Sequence, residues 1–250
     1  MSEFGGNALG GGDQGGGGFG AGPQGPAGSD VPPTGGLRTG PAWEDASRDF
    51  FERLIETIKP VFASPTAFFD TLNIDRGIGL PLLFAVICGG IGGVVAGIYN
   101  IAMRSSLIAL LARMGGQYAE ALPNLIGTVG GGFCGILLVP VMVVIGVFIA
   151  SGIAHLCLML VGGANNPFEA TFRVVAYSQA LSLLNVIPFC GGLAAAIWIL
   201  VVEMIGLSRV HNISVGRAAL AVLLPVVLCC LCLFFGFGTL IGLIAAAGHR

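Results

Sequence analysis

The order of apolar and polar positions divides the chain into three parts. From about residue 79 onward, long apolar runs are separated by short polar links. They fall at Gly79–Met103, Leu125–Val161, Thr171–Pro188, Gly191–Leu207 and Ala218–Ala247. A helix needs about 20 mostly apolar residues to cross a bilayer, and these runs approach or exceed that length. Between Trp43 and Lys59 the pattern becomes helical instead. Phe50, Phe51, Leu54, Ile55 and Ile58 share one side, and Glu44, Asp45, Arg48, Asp49, Glu52, Arg53 and Glu56 fill the other. Ser64-Pro65 then predicts an N-cap and a first-turn proline for a second short helix reaching Leu72, which presents Phe68, Phe69 and Leu72. Residues 1–41 carry neither pattern. They are Gly/Pro/Gln-rich and cannot bury enough apolar surface to offset ordering entropy, which predicts a disordered tail.

The expected architecture is an all-α polytopic membrane bundle of about five transmembrane helices at 79–250. Amphipathic interfacial helices at 42–78 precede it, lying on the membrane surface or docked under the bundle. Residues 104–124 read as an outside loop with a helical piece around Leu107 to Met114. The run from Leu125 to Val161 has no charged residue and is nearly twice a span's length. It is either one long helix or two, with Pro140 as the kink or the second start. Charge placement favours one. Five spans with a cytoplasmic N-terminus put Lys59, Arg76, Arg173, Arg209 and Arg217 inside and leave Arg104, Arg113 and Arg250 outside. Splitting the run reverses that bias, against the tendency of short cytoplasmic loops to be Lys/Arg-rich.

Composition agrees. The chain of 250 residues is 55% hydrophobic and 10% charged, against about a quarter charged in soluble domains. So little charge cannot cover a folded surface, and lipid must. A net charge of −2 argues against nucleic-acid binding. The first 78 residues hold no apolar run, so the first span lies too deep for a cleaved signal. The seven cysteines fall in or at the ends of apolar runs, as packing residues rather than a disulfide framework. Cys229-Cys230-x-Cys232 has no second ligand pair, so neither metal nor cofactor is expected.

Two kinds of residue inside the spans could carry function. Glycines at four-residue spacing let helices approach closely: Gly127, Gly131 and Gly135, and Gly89, Gly93 and Gly97. They would pack the bundle or form a homo-oligomer interface. Glu203 is an acid within the fourth apolar run, and an intramembrane carboxyl should be paired, protonated or facing water. Its expected partners are Arg209, Arg173 or His155. His155 itself reads as a lone helix–helix hydrogen bonder. Tyr177 and Ser178 are polar positions that could bond across helices. No Ser-His-Asp, Cys-His or paired-carboxylate set is present, so no enzyme is expected.

Four groups of residues resemble the YIP family (Ypt/Rab-interacting proteins), in its bacterial branch. They are Pro41-Ala42-Trp43-Glu44 with Thr57 after it; Ser64-Pro65-Thr66-Ala67-Phe68-Phe69 before Pro81-Leu82-Leu83-Phe84; His155-Leu156, Gly162-Gly163 and Phe172-Arg173-Val174-Val175-Ala176-Tyr177-Ser178; and Ile187-Pro188-Phe189-Cys190-Gly191-Gly192 with Trp198, Ile205-Gly206-Leu207 and His211. The resemblance covers about residues 41–225. It implies a five-span helical domain with a cytosolic N-terminus, in the bacterial inner membrane. Eukaryotic relatives are linked to Rab-type GTPases and vesicle traffic. Their Asp-Leu-x-Gly-Pro element is only loosely echoed by Asp75-Arg76-Gly77-Ile78-Gly79-Leu80-Pro81, so no GTPase-binding residue carries over. The expected function is a non-enzymatic scaffold or membrane-organising protein. Its partners would be the lipid bilayer, other membrane or cytosolic proteins, and further copies of itself in a homo-oligomer. A small-solute or ion permease using Glu203 and His155 is the alternative.

Overall fold

A computed structural model of the chain describes residues 40–74, 76–114 and 132–248. Every regular element among them is helical. After a 3-10 turn at Ala42–Glu44 come α1 (Phe50–Ala63), α2 (Pro65–Asp70) and α3 (Gly79–Met114). Then follow α4 (Gly132–Leu137), α5 (Val139–Leu160) and α6 (Phe168–Ser178), which continues directly as a 3-10 helix at Gln179–Val186. The last two are α7 (Gly191–His211) and α8 (Val215–Gly248).

Four segments among the described residues are long and apolar enough to cross a membrane: Gly79–Met103, Val139–Leu160, Gly191–His211 and Val215–Gly236. The remaining apolar run forms α6 and its 3-10 continuation. Eleven α-helical residues rise about 16 Å and eight 3-10 residues about another 16 Å, so the pair is as long as a span. It runs along α3 from its start to Tyr99. Arg173 bonds the carbonyl of Gly77 just before that helix, Ser182 the carbonyl of Cys88, and Tyr99 the carbonyl of Val186.

Among its described residues, 132–161, the uncharged run is not a hairpin. There the helix breaks only at Leu138, and Pro140 stands in the first turn of α5, where its missing N–H leaves no orphan. Ile136, Val139 and Val143 then face Gly97, Gly93 and Gly89 in turn, so α4 and α5 run in one direction along α3. The first part of this run, with Gly127 and Gly131, lies outside the described residues. Gly135 has open space around its Cβ position. The helical piece expected around Leu107 to Met114 is the uninterrupted end of α3.

The amphipathic segment docks under the bundle. Leu54 and Ile58 pack against the core, while Thr57, Val61, Phe68, Phe69 and Leu72 are buried. Ser64 occupies the N-cap position of α2, but its hydroxyl makes no capping bond; its carbonyl accepts from Phe68 N at 3.0 Å. Phe50, Phe51 and Ile55 stay exposed, Phe51 at 72%. At the other extreme, every residue of α8 from Val226 to Gly236 is exposed, an apolar surface suited to lipid.

Candidate functional site

Helix α6 is the hub. Ala170 through Ser178 are all buried, which only a helix enclosed on every side permits. Polar side chains on it must therefore find partners inside the protein. Arg173 is fully buried, and its guanidinium donates from Nη1 to the Gly77 carbonyl at 2.6 Å and from Nη2 to Glu44 Oε1. Tyr177, one turn on, donates its hydroxyl to the same carboxylate oxygen at 2.6 Å. The acid comes from the segment before α1. Among the described residues Glu44 Oε2 and Arg173 Nε have no hydrogen-bond partner.

Trp43 drives Glu44 into place. Its indole Nε1 donates to the Leu80 carbonyl at 2.8 Å, and its backbone N–H donates to Thr57 Oγ1 at 2.8 Å. The ring stacks edge-on to Phe84 and Phe50, at 5.7 and 5.5 Å. Arg53 caps it from outside, its cation 5.1 Å from the ring centroid and its Nε 2.9 Å from the Trp43 carbonyl. Residues 40–44 thus form a strap that ties α1 and α3 to α6. Beyond it the charge is solvated. Asp45 accepts from Ser47 and Arg48, and these bonds, Ser47 first, hold its carboxyl below the usual range.

A second polar group is centred two residues before Arg173. Thr171 Oγ1 lies 2.8 Å from His155 Nδ1 on α5 and 2.9 Å from His211 Nε2 on α7. The Asn166 N–H donates to His211 Nδ1 at 3.1 Å. That N–H fixes the directions: His211 Nε2 carries the proton and donates to Thr171, whose hydroxyl donates to His155. Asn165 and Asn166 side chains donate to the His211 and Val210 carbonyls, at 2.8 and 2.6 Å, satisfying the end of α7.

Of the residues singled out from sequence, Arg173 and Tyr177 meet at Glu44. His155 belongs to a three-residue chain rather than standing alone. Ser178 turns its hydroxyl back to the Val174 carbonyl at 2.9 Å. Glu203 is half-buried on α7 and reached by none of its three expected partners. Arg209 lies 3.8 Å from Asp70, Arg173 holds Glu44, and His155 holds Thr171. Sequence reasoning placed Glu44 on a solvated helix face and did not single out Trp43, Thr171 or His211 as polar sites. One signal was available: Thr57 lies among the apolar positions of α1, where a hydroxyl requires a buried partner. Among the described residues no group of three His, Cys, Asp or Glu could hold a metal ion.

Apolar helices around a buried, ion-paired hub define a multi-pass membrane protein. A family model for the Yip1 domain matches residues 59–237, and the chain belongs to that family. No curated protein and no solved structure matches it.

Proposed function

We propose that the protein is a non-enzymatic membrane scaffold that organises lipid or other proteins at the cytoplasmic face of a bacterial inner membrane. One observation carries the reading: α1 is bolted to the bundle by one face and leaves Phe50, Phe51 and Ile55 uncovered on another. The Trp43–Phe50 contact and the Trp43 bond to Leu80 bring this strip beside the start of α3, where Leu80 and Leu83 are exposed. An apolar strip level with the first turn of a span suits the boundary between headgroups and acyl chains. Apart from the exposed Lys59, its cations are held within the segment, and the acids Asp45, Asp49, Glu52 and Glu56 outnumber Arg48, Arg53 and Lys59. Arg48 pairs with Asp45, Glu52 and Glu56, and Arg53 is held at Trp43, so anionic lipid gains little attraction.

The test uses the full chain in lipid nanodiscs with Phe51 replaced by a nitroxide-bearing cysteine (Phe51→Cys, labelled). Burial among acyl chains is expected, read as oxygen-rich, nickel-poor relaxation, and equal in neutral and anionic lipid. A nickel-accessible label at this site would remove the reading's main support. A crosslinking pull-down from membranes then asks which proteins share the surface, and Phe51→Gln should weaken their capture.

A further inference from the structure

Between α3 and α5 lies a crevice of about 490 Å³, walled by Gly93, Val139, Met142, Val143 and Gly146. The two glycines shape it differently: Gly93 lets Val139 approach to where a Cβ would stand, and Gly146 leaves open space on its side of the gap. The remaining lining includes one polar side chain, Gln179, from the first residue of the 3-10 helix. Gln179 accepts from Ser182 Oγ at 2.6 Å through its backbone carbonyl. Its side-chain amide has no hydrogen bond among the described residues, and the residue is half-buried.

Three counts give its depth. At about 1.5 Å per residue, Gly89 lies about 15 Å from the start of α3 at Gly79. Gln179 lies about 16 Å from the start of α6 at Phe168, and Val147 about 20 Å from the end of α5 at Leu160. The ends from which these distances run share one side of the bundle, and the hydrocarbon core is about 30 Å thick. The amide therefore sits near mid-bilayer, where water offers no partner. Phospholipid ester and headgroup oxygens lie at the edges of the core, about 15 Å away. An acyl chain would fill the crevice but leave the amide bare. Gln179 Oε1 packs over Gly89, which leaves Nε2 to donate. A volume of this size is typical of small-molecule pockets.

We propose that this crevice binds a neutral, membrane-dissolved molecule that carries a hydrogen-bond-accepting carbonyl on an apolar chain, with Gln179 as its donor. The walls contact the chain, and the amide selects for the carbonyl.

The experiment labels the full chain in phosphatidylcholine nanodiscs with a photoreactive decyl-benzoquinone. A parallel arm uses phosphatidylcholine with the same photoreactive group at mid-chain. The expected result is saturable quinone labelling within 89–93 and 139–147, displaced by unlabelled decyl-benzoquinone. Gln179→Leu should weaken it about tenfold, the loss of one hydrogen bond. Gly146→Leu should abolish it by filling the space; a Cβ there meets nothing within 4 Å, and circular dichroism with a monodisperse elution profile checks that the variant folds. Three outcomes overturn the proposal: no saturable quinone labelling; equal labelling by both probes with neither substitution mattering, which makes this an ordinary lipid groove; or efficient crosslinking between two protomers through Gly146→Cys, which makes the occupant a second copy.

Discussion

At Arg173 a full charge sits where water cannot reach, and its carboxylate partner arrives from a segment 129 positions earlier. Such a pair adds little net stability over apolar groups of the same shape, but breaking it leaves a buried charge uncompensated, at about 3–5 kcal/mol. Glu44→Gln keeps an acceptor for Tyr177 and removes only the charge, so it should lower unfolding free energy by about that amount. Glu44→Leu combined with Arg173→Met should recover most of the loss. Reversible unfolding in mixed micelles, run as a double-mutant cycle, measures both. Equal stability of wild type and Glu44→Gln would mean that the pair is solvated. The Thr171 hydroxyl makes a sharper test of the histidine chain. Thr171→Val preserves shape yet strands a donor on His211 and an acceptor on His155, costing about 1–3 kcal/mol for each. Thr171→Ser should behave as wild type in the same assay.

Among the elements, close helix approach is set by particular glycines. A Cβ on Gly92 would collide with the backbone carbonyl of Ser182, which cannot move without shifting the 3-10 helix. Gly92→Ala should therefore part α3 from that helix and lower the midpoint of thermal unfolding by several degrees. Gly135→Ala meets open space and should stay within about 0.5 kcal/mol of wild type. The contrast shows what sequence made legible. The four-residue spacing of Gly89, Gly93 and Gly97 is a helical ridge, and it does face α4 and α5. Gly92 lies off that ridge, and its partner is a 3-10 segment that no apolar periodicity announces. The same segment explains why Thr171–Pro188 read as a short span: 3-10 residues rise further, so fewer cover the distance. The docking of α1 was half legible. Its apolar stripe predicted a buried face, but the split between a docked edge at Leu54, Thr57 and Val61 and a bare edge at Phe51 and Ile55 depends on tertiary neighbours.

Across the whole molecule, the family match and the packed unit do not begin at the same place. The match starts at residue 59, within α1, whereas the described packing already includes Gly40 to Glu44. The difference holds the strap with Trp43 and Glu44, the ring that fills the space between α1 and α3, and the charge that neutralises Arg173. Beyond the hint at Thr57 no local pattern shows this, because Pro41-Ala42-Trp43-Glu44 is too short to have a period and the partners that seat it on the bundle, Leu80, Phe84, Arg173 and Tyr177, lie across the fold. A chain begun at residue 59 should therefore contain every span and still fail to pack. It would leave Arg173 and Tyr177 facing a void, and the Leu80 carbonyl without its indole donor. A chain begun at Leu37 keeps all three. Size-exclusion of detergent-solubilised fusions should give a sharp peak for the longer chain and aggregate for the shorter one. Adding Arg173→Met to the shorter chain removes the orphaned charge but not the void, so partial recovery is expected, with a peak broader than that of the longer chain. Full recovery would assign the strap's whole contribution to charge, and none would assign it to the packing of Trp43.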